Sequence, residues 1–259
     1  MIVRTAARIR PKTKTELAKM RESGRIVGEI LAAMAERIRP GVTLLELDEF
    51  AEAHIRGRGA SPSFKGYHGF PRSLCISVNE EVVHGIPGKR ALHDGDIVTV
   101  DCGANLDGWH GDAARTFCVG SGDPESRELL RVCEGSLMAG VAELRPRQRL
   151  GDVSKAVEDF VKRESGFAVV RQYVGHGIGR ALHEEPQVPN YFEPGFPHAD
   201  LVLEPGHVFA IEPMVNAGTH DVRVLDDLWT VVTADGRRSA HFEHTVAVTE
   251  DGPQVLTLP

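Results

Sequence analysis

Apolar or small residues recur at Leu17, Met20, Gly24, Val27, Leu31, Met34 and Ile38, the three-and-four spacing that lays one stripe along a helix. Thr13-Lys14-Thr15-Glu16 reads as a capping box that opens this helix near Thr13, and Arg39-Pro40-Gly41 closes it. A second helix is predicted from Thr43, with a capping box through Glu46, to Gly57-Arg58-Gly59. The arrangement then returns. Asp123-Pro124-Glu125 opens a helix through Leu129, Leu130, Leu137 and Val141 that stops at Arg145-Pro146, and a partner runs from about Leu150 to Ser165, ahead of Gly166.

Ile38-Arg39-Pro40 followed by Leu44 matches Leu144-Arg145-Pro146 followed by Leu150, and the matched residues stand the same distance apart in the chain. The strands repeat too: Leu92 to Asp101 and Leu203 to Glu212 share a leucine, a glycine, an apolar run and a terminal carboxylate. This is the trace of an internal duplication. It predicts an α+β fold in which two helix-helix-strand units face each other across a pseudo-two-fold axis, with the helices on one side of a curved antiparallel sheet. No linker divides the halves, so residues 1–259 read as a single domain, with 1–13 an extended basic N-terminal arm.

Composition narrows the class. Of the 259 residues 41% are hydrophobic, which supplies a core; no apolar stretch approaches the length of a membrane span, and the start lacks the apolar run of an export signal. The scattered Cys75, Cys102, Cys118 and Cys133 contain no C-x-x-C pair, so reduced thiols in a cytoplasm are expected rather than disulfides or a thiolate zinc site. A net charge of -7 argues against DNA as a partner. The amino end is locally basic, with Arg4, Arg8, Arg10, Lys12, Lys14, Lys19, Arg21 and Arg25. That invites a transient contact with an RNA-rich particle such as the ribosome, against the plainer reading of a solvated helix face.

Chemistry enters with the acids. Asp107-Gly108 is a tight-turn signature; if these are the two loop residues, 106 pairs with 109 and 103 faces 112. Side chains alternate along a strand, so Asp101 and Asp112 lie diagonally on one face. Two such carboxylates on an apolar-flanked face repel unless a cation compensates. Glu212 ends the equivalent strand of the other half, and Glu243 sits in the apolar run Ala240 to Val248. His176 lies between glycines in Gly175-His176-Gly177-Ile178-Gly179, with His84 in Val82-Val83-His84-Gly85 and His183 in His183-Glu184-Glu185-Pro186 as further candidates. Four carboxylates and one imidazole suit two divalent ions such as Co, Mn, Fe or Zn, which activate a water for hydrolysis.

Taken in order, Gly66-Tyr67-His68-Gly69-Phe70-Pro71, Cys75-Ile76-Ser77-Val78-Asn79-Glu80, His84-Gly85-Ile86-Pro87, Asp101 with Asp112, Gly175-His176-Gly177-Ile178-Gly179, His183-Glu184-Glu185-Pro186, Ile211-Glu212-Pro213 and Phe242-Glu243-His244-Thr245 resemble the type I methionine aminopeptidases, in their short bacterial form, from about Lys14 to Leu258. The resemblance implies the pita-bread fold and removal of the initiator methionine from nascent polypeptide N-termini, with a small second residue preferred. It also implies Asp101 on one ion, His176 and Glu212 on the other, and Asp112 and Glu243 bridging. His183 would stabilise the tetrahedral intermediate, His84 would contact substrate near the scissile amide, and Glu212 would shuttle the proton. Tyr67, Phe70, Cys75 and Trp229 match the methionine pocket. Leu182 stands where many relatives have phenylalanine, and Phe70 lacks a hydroxyl that some carry. Enzymes of this kind are often monomers.

Two alternatives are separable. An aminopeptidase P or prolidase shares the fold but usually carries a separate amino-terminal domain, whereas here the helical repeat begins within the first twenty residues. A non-catalytic pita-bread binding protein would typically have lost metal ligands, and all five are present.

Overall fold

A computed structural model describes residues 9–259. Helix α1 (Lys14–Arg37) and helix α2 (Leu44–Gly57) both open on the capping boxes expected of them. Thr13 Oγ1 accepts from Glu16 N at 3.3 Å while Glu16 Oε2 accepts from Thr13 N at 2.8 Å, and Thr43 with Glu46 repeats the exchange. Helix α1 stops at Arg37, two residues before the Arg39-Pro40 signal, because the residue preceding a proline is pushed out of helical geometry. In helix α3 (Pro124–Ala142), Asp123 caps through Ser126 N at 3.0 Å and proline takes the first position. Helix α4 (Leu150–Glu164) follows as its partner.

The Asp107-Gly108 turn forms with the predicted register. Strand β2 (Ile97–Leu106) and strand β3 (Trp109–Cys118), which follow β1 (Leu74–Val78), pair so that Leu106 faces Trp109 and Gly103 faces Asp112. β1 borders the other edge of β2, with Cys75 opposite Asp101. In the second half, β4 (Gly175–Gly177), β5 (Glu184–Val188), β6 (Val208–Ile211), β8 (His244–Thr249) and β9 (Gly252–Val255) make a five-stranded sheet in the order β9-β8-β6-β4-β5, while β7 (Ser239–His241) joins a smaller sheet. All strand pairings among the described residues are antiparallel. The fold is thus α+β, as expected, with its antiparallel strands grouped in four hydrogen-bonded sheets.

Each half has its own core. α1 and α2 cover β1, β2 and β3 with residues such as Ile30, Met34, Leu47, Ile76 and Val100, and α3 and α4 cover the second half through Leu129, Leu137, Val153, Phe209 and Val246. A third cluster, including Met20, Phe70, Cys75, Ile178 and Leu182, lies beside the centre.

The halves are stitched along β3. Thr245 Oγ1 donates to Asp112 O at 2.7 Å and accepts from Asp112 N at 3.0 Å; Thr116 Oγ1 donates to His241 O at 2.8 Å and accepts from His241 N at 2.9 Å. Between these threonines, Glu243 N donates to Ala114 O at 2.9 Å. The apolar run around Glu243 is therefore not one strand as the sequence implied: Phe242 and Glu243 fall in a break between β7 and β8, where the backbone leaves its own sheet to bond with β3. No helix among the described residues is long and apolar enough to cross a membrane.

Candidate metal centre

Where the halves meet, a cavity of about 330 Å³ receives every predicted site residue. Asp101 and Asp112 reach it from the β2–β3 hairpin on the shared face that the register requires. Glu212 follows directly after β6, Glu243 occupies the β7–β8 break, and His176 is the middle residue of β4. Ligand atoms of Asp112, His176 and Glu243 lie within 4.8 Å of one another, and His176 Nε2 is 3.4 Å from Glu212 Oε1.

The glycine setting of His176 has a local cause. A Cβ on Gly175 would stand 2.3 Å from Ala210 O and one on Gly177 2.3 Å from Glu185 O, so only glycine lets β4 pass this close to its neighbours. His176 Nδ1–H donates to Gly177 O at 2.9 Å, which leaves the Nε2 lone pair toward the carboxylates. His84 enters from a left-handed backbone, φ 60°, after the strand Glu81–Val83, with its ring edge-on to Tyr173 at 5.6 Å. His183 Nδ1 is 2.7 Å from Tyr67 Oη, and its ring lies 4.3 Å from that of His176.

The electrostatics are those of an anionic pocket lacking a counter-charge of its own. Burial, then the charge of Asp112, drives Asp101 well above the usual carboxylate range, and burial pushes Asp112 up to about 8. Burial, then the charges of Asp112 and Asp101, raises Glu212, and burial, then Asp112, Glu212 and Asp101, raises Glu243. Burial, reinforced by His183, takes His176 down to about 3, so its imidazole is neutral and able to ligate. Asp101 Oδ1, Asp112 Oδ1 and Glu243 Oε1 are buried with no hydrogen-bond partner. Orphaned carboxylate oxygens converging with a correctly oriented imidazole fit divalent cations.

One end of the cavity is apolar. Trp229 packs edge-on to Phe70 at 5.1 Å, with Leu182 and the buried thiol of Cys75, which burial keeps protonated, completing the wall. Tyr67 stands beside them.

The sequence reading missed His241, which is 2% exposed, lines the cavity and has neither ring nitrogen hydrogen-bonded. Its Nε2 lies 4.0 Å from both Glu212 Oε2 and Glu243 Oε2. Read as one strand, the run Ala240 to Val248 puts residues 241 and 243 in step, which was a signal for it even though the strand breaks at Phe242. Tyr173, His68 and Phe64 are further lining residues not anticipated.

Residues 18–250 match the family model described as metallopeptidase family M24. Methionine aminopeptidase 1 of Bacillus subtilis (strain 168) is 53% identical over 246 residues, which cover 95% of this chain and 98% of the relative. The crystal structure of methionine aminopeptidase from Thermotoga maritima superposes with a TM-score of 0.93 at 45% identity, covering 97% of this chain and all of that one. A prolidase from Pyrococcus furiosus shares the fold at a TM-score of 0.75 and 23% identity, but the match spans only 66% of its chain.

Proposed function

This chain belongs to metallopeptidase family M24 and, within it, to the methionine aminopeptidases, and from that premise we propose how its own residues carry out metal-dependent removal of N-terminal methionine. Two divalent ions would be held by Asp101, Asp112, His176, Glu212 and Glu243, to which both halves contribute. Such ions supply Lewis acidity and an activated water. The convergence of orphaned carboxylate oxygens on one cavity carries this reading.

The remaining work belongs to side chains. The apolar end formed by Phe70, Trp229, Cys75 and Leu182 takes the methionine side chain, whose thioether packs well against aromatic edges. His183, oriented through Tyr67, donates from Nε2 to the oxygen that gains charge as the amide is attacked. His84 holds the substrate near the scissile amide. Glu212 accepts the proton of the attacking water and delivers it to the leaving amine. A small second residue is favoured because bulk beyond the methionine must pass the mouth of the cavity.

Nascent polypeptides in the cytoplasm are the substrates, and the enzyme acts as a monomer. A transient ribosome contact would use the basic amino end, of which Arg4 and Arg8 lie outside the described residues, Lys12 is buried against Glu184, and Arg10 and Arg25 pair with Glu16, Glu22 and Glu29 at the surface.

Incubation of metal-stripped and then Mn- or Co-reloaded protein with Met-Ala-Ser, Met-Lys-Ser and Ala-Pro-Ser, scored by mass spectrometry, tests the reading. Metal-dependent loss of methionine from Met-Ala-Ser alone is expected. Cleavage confined to Ala-Pro-Ser assigns an aminopeptidase P specificity, and no cleavage with two ions bound assigns a binding role.

A further inference from the structure

His183 is presented by a loop, residues 179–183, that lies outside any helix or strand and runs directly into β5. Glu184 closes this loop on itself: its Oε1 accepts from Arg180 N at 2.8 Å and Ala181 N at 3.2 Å. Arg180 ties the loop to the β2–β3 turn by donating to Asp107 O at 3.0 Å and Gly108 O at 3.2 Å. The other oxygen of Glu184, Oε2, is held at 2.8 Å by the ammonium of Lys12, 172 residues away in sequence.

Lys12 is itself firmly seated. Its N–H donates to Gly206 O at 2.7 Å, and the next residue, Thr13, caps α1. Its side chain is only 7% exposed. A Cβ on Gly179 would stand 2.7 Å from Glu184 Oε1 and 2.8 Å from Lys12 Cε, so the carboxylate and the lysine stem fill the space beneath the loop. A surface ion pair contributes little, but a lysine this buried forms a fixed strut, and its removal leaves both a void and a carboxylate anchored on one side only.

We propose that Lys12 is a positioning residue for His183, acting through Glu184, so that the segment preceding α1 sets the geometry of the oxyanion-stabilising imidazole. This rests on the role given to His183 above. Lys12 touches no substrate; it keeps the loop where the His183 ring meets Tyr67 and faces the cavity.

The test uses the full chain reloaded with Mn and the substrate Met-Ala-Ser. Lys12→Met is expected to lower kcat by about 10- to 100-fold, the scale on which small misplacements of a catalytic group act. KM stays within about threefold, metal content by atomic emission is unchanged, Lys12→Arg recovers most of the turnover, and amide exchange speeds up in residues 179–184. Should Lys12→Met fail to fold, Glu184→Gln, which keeps an oxygen for the two amides and loses the charge, is expected to give the same split between kcat and KM. Wild-type kcat in Lys12→Met beside an inactive His183→Ala overturns the positioning role alone. Loss of metal in step with kcat also overturns it. Wild-type turnover in His183→Ala overturns both it and the role of His183 on which it rests.

Discussion

His241 is a buried imidazole facing two carboxylates of the centre, and burial, then the neighbouring His84, takes it down to about 3, so it is neutral. A neutral ring there can donate one N–H to a ligating carboxylate, and outer partners of this kind are worth about 10- to 100-fold in metal affinity. His241→Phe should weaken Mn binding by that factor in a calorimetric titration while leaving the fold intact; unchanged affinity would show that the ring is packing only. Leu228 is a different residue-scale case. It is 82% exposed and adopts φ 66°, a left-handed backbone that a side chain pays for. Glycine removes that strain and gives back part of it as entropy of the unfolded chain, so Leu228→Gly should gain about 0.5 to 1 kcal/mol. A thermal melt should show this as a rise of about 1 to 4 °C.

Among the elements, those whose signals are local were legible in the sequence. Thr13, Thr43 and Asp123 marked helix starts because a cap is decided within one turn, and Asp107-Gly108 set the β2–β3 register, and with it the common face of Asp101 and Asp112, because a two-residue turn admits one pairing. The interruption at Phe242 and Glu243 was not legible, since it depends on Thr116 and Thr245 bonding across more than a hundred residues. Nor was Lys12 against Glu184, which no short pattern joins. Helix α2 carries a similar long-range tie, Glu52, which accepts from Lys65 at 2.7 Å and Ser73 at 3.1 Å. Its hydrogen bond to Lys65 leads the effects that hold its carboxyl at about 2. The folded value lies below the unfolded one, so the unfolded chain binds the proton first. The contribution of Glu52 is therefore present above about pH 4.5 and is lost as the pH falls toward about 2. Glu52→Gln should flatten the fall in urea-unfolding stability between pH 5 and pH 3, as about 22% exposure limits the size of the effect without changing its sign.

At the scale of the whole molecule, the duplication explains why the centre lies where it does: each half contributes carboxylates, and only assembly of both halves brings them together. The assembly is also closed from behind. A Cβ on Gly24 of α1 would fall 2.2 Å from Leu256 O, and one on Gly28 2.6 Å from the Leu258 carbonyl carbon, so the two glycines form a notch in which residues 256–258 lie. Arg21 holds the same segment by donating to Leu256 O at 3.2 Å and Leu258 O at 2.8 Å. Gly24→Ala places a methyl against backbone rather than a yielding side chain, and should cost about 1 to 3 kcal/mol, read as a lowered urea midpoint with unchanged slope. The notch also sets a timetable for synthesis. The groups that meet there are separated by about 230 residues, which a translating ribosome adds in about 10 to 50 s at ~5–20 residues per second. For that interval the Gly24–Gly28 notch of the first helix made stays unfilled, and the molecule that trims other new chains cannot finish its own packing until almost all of it has been translated.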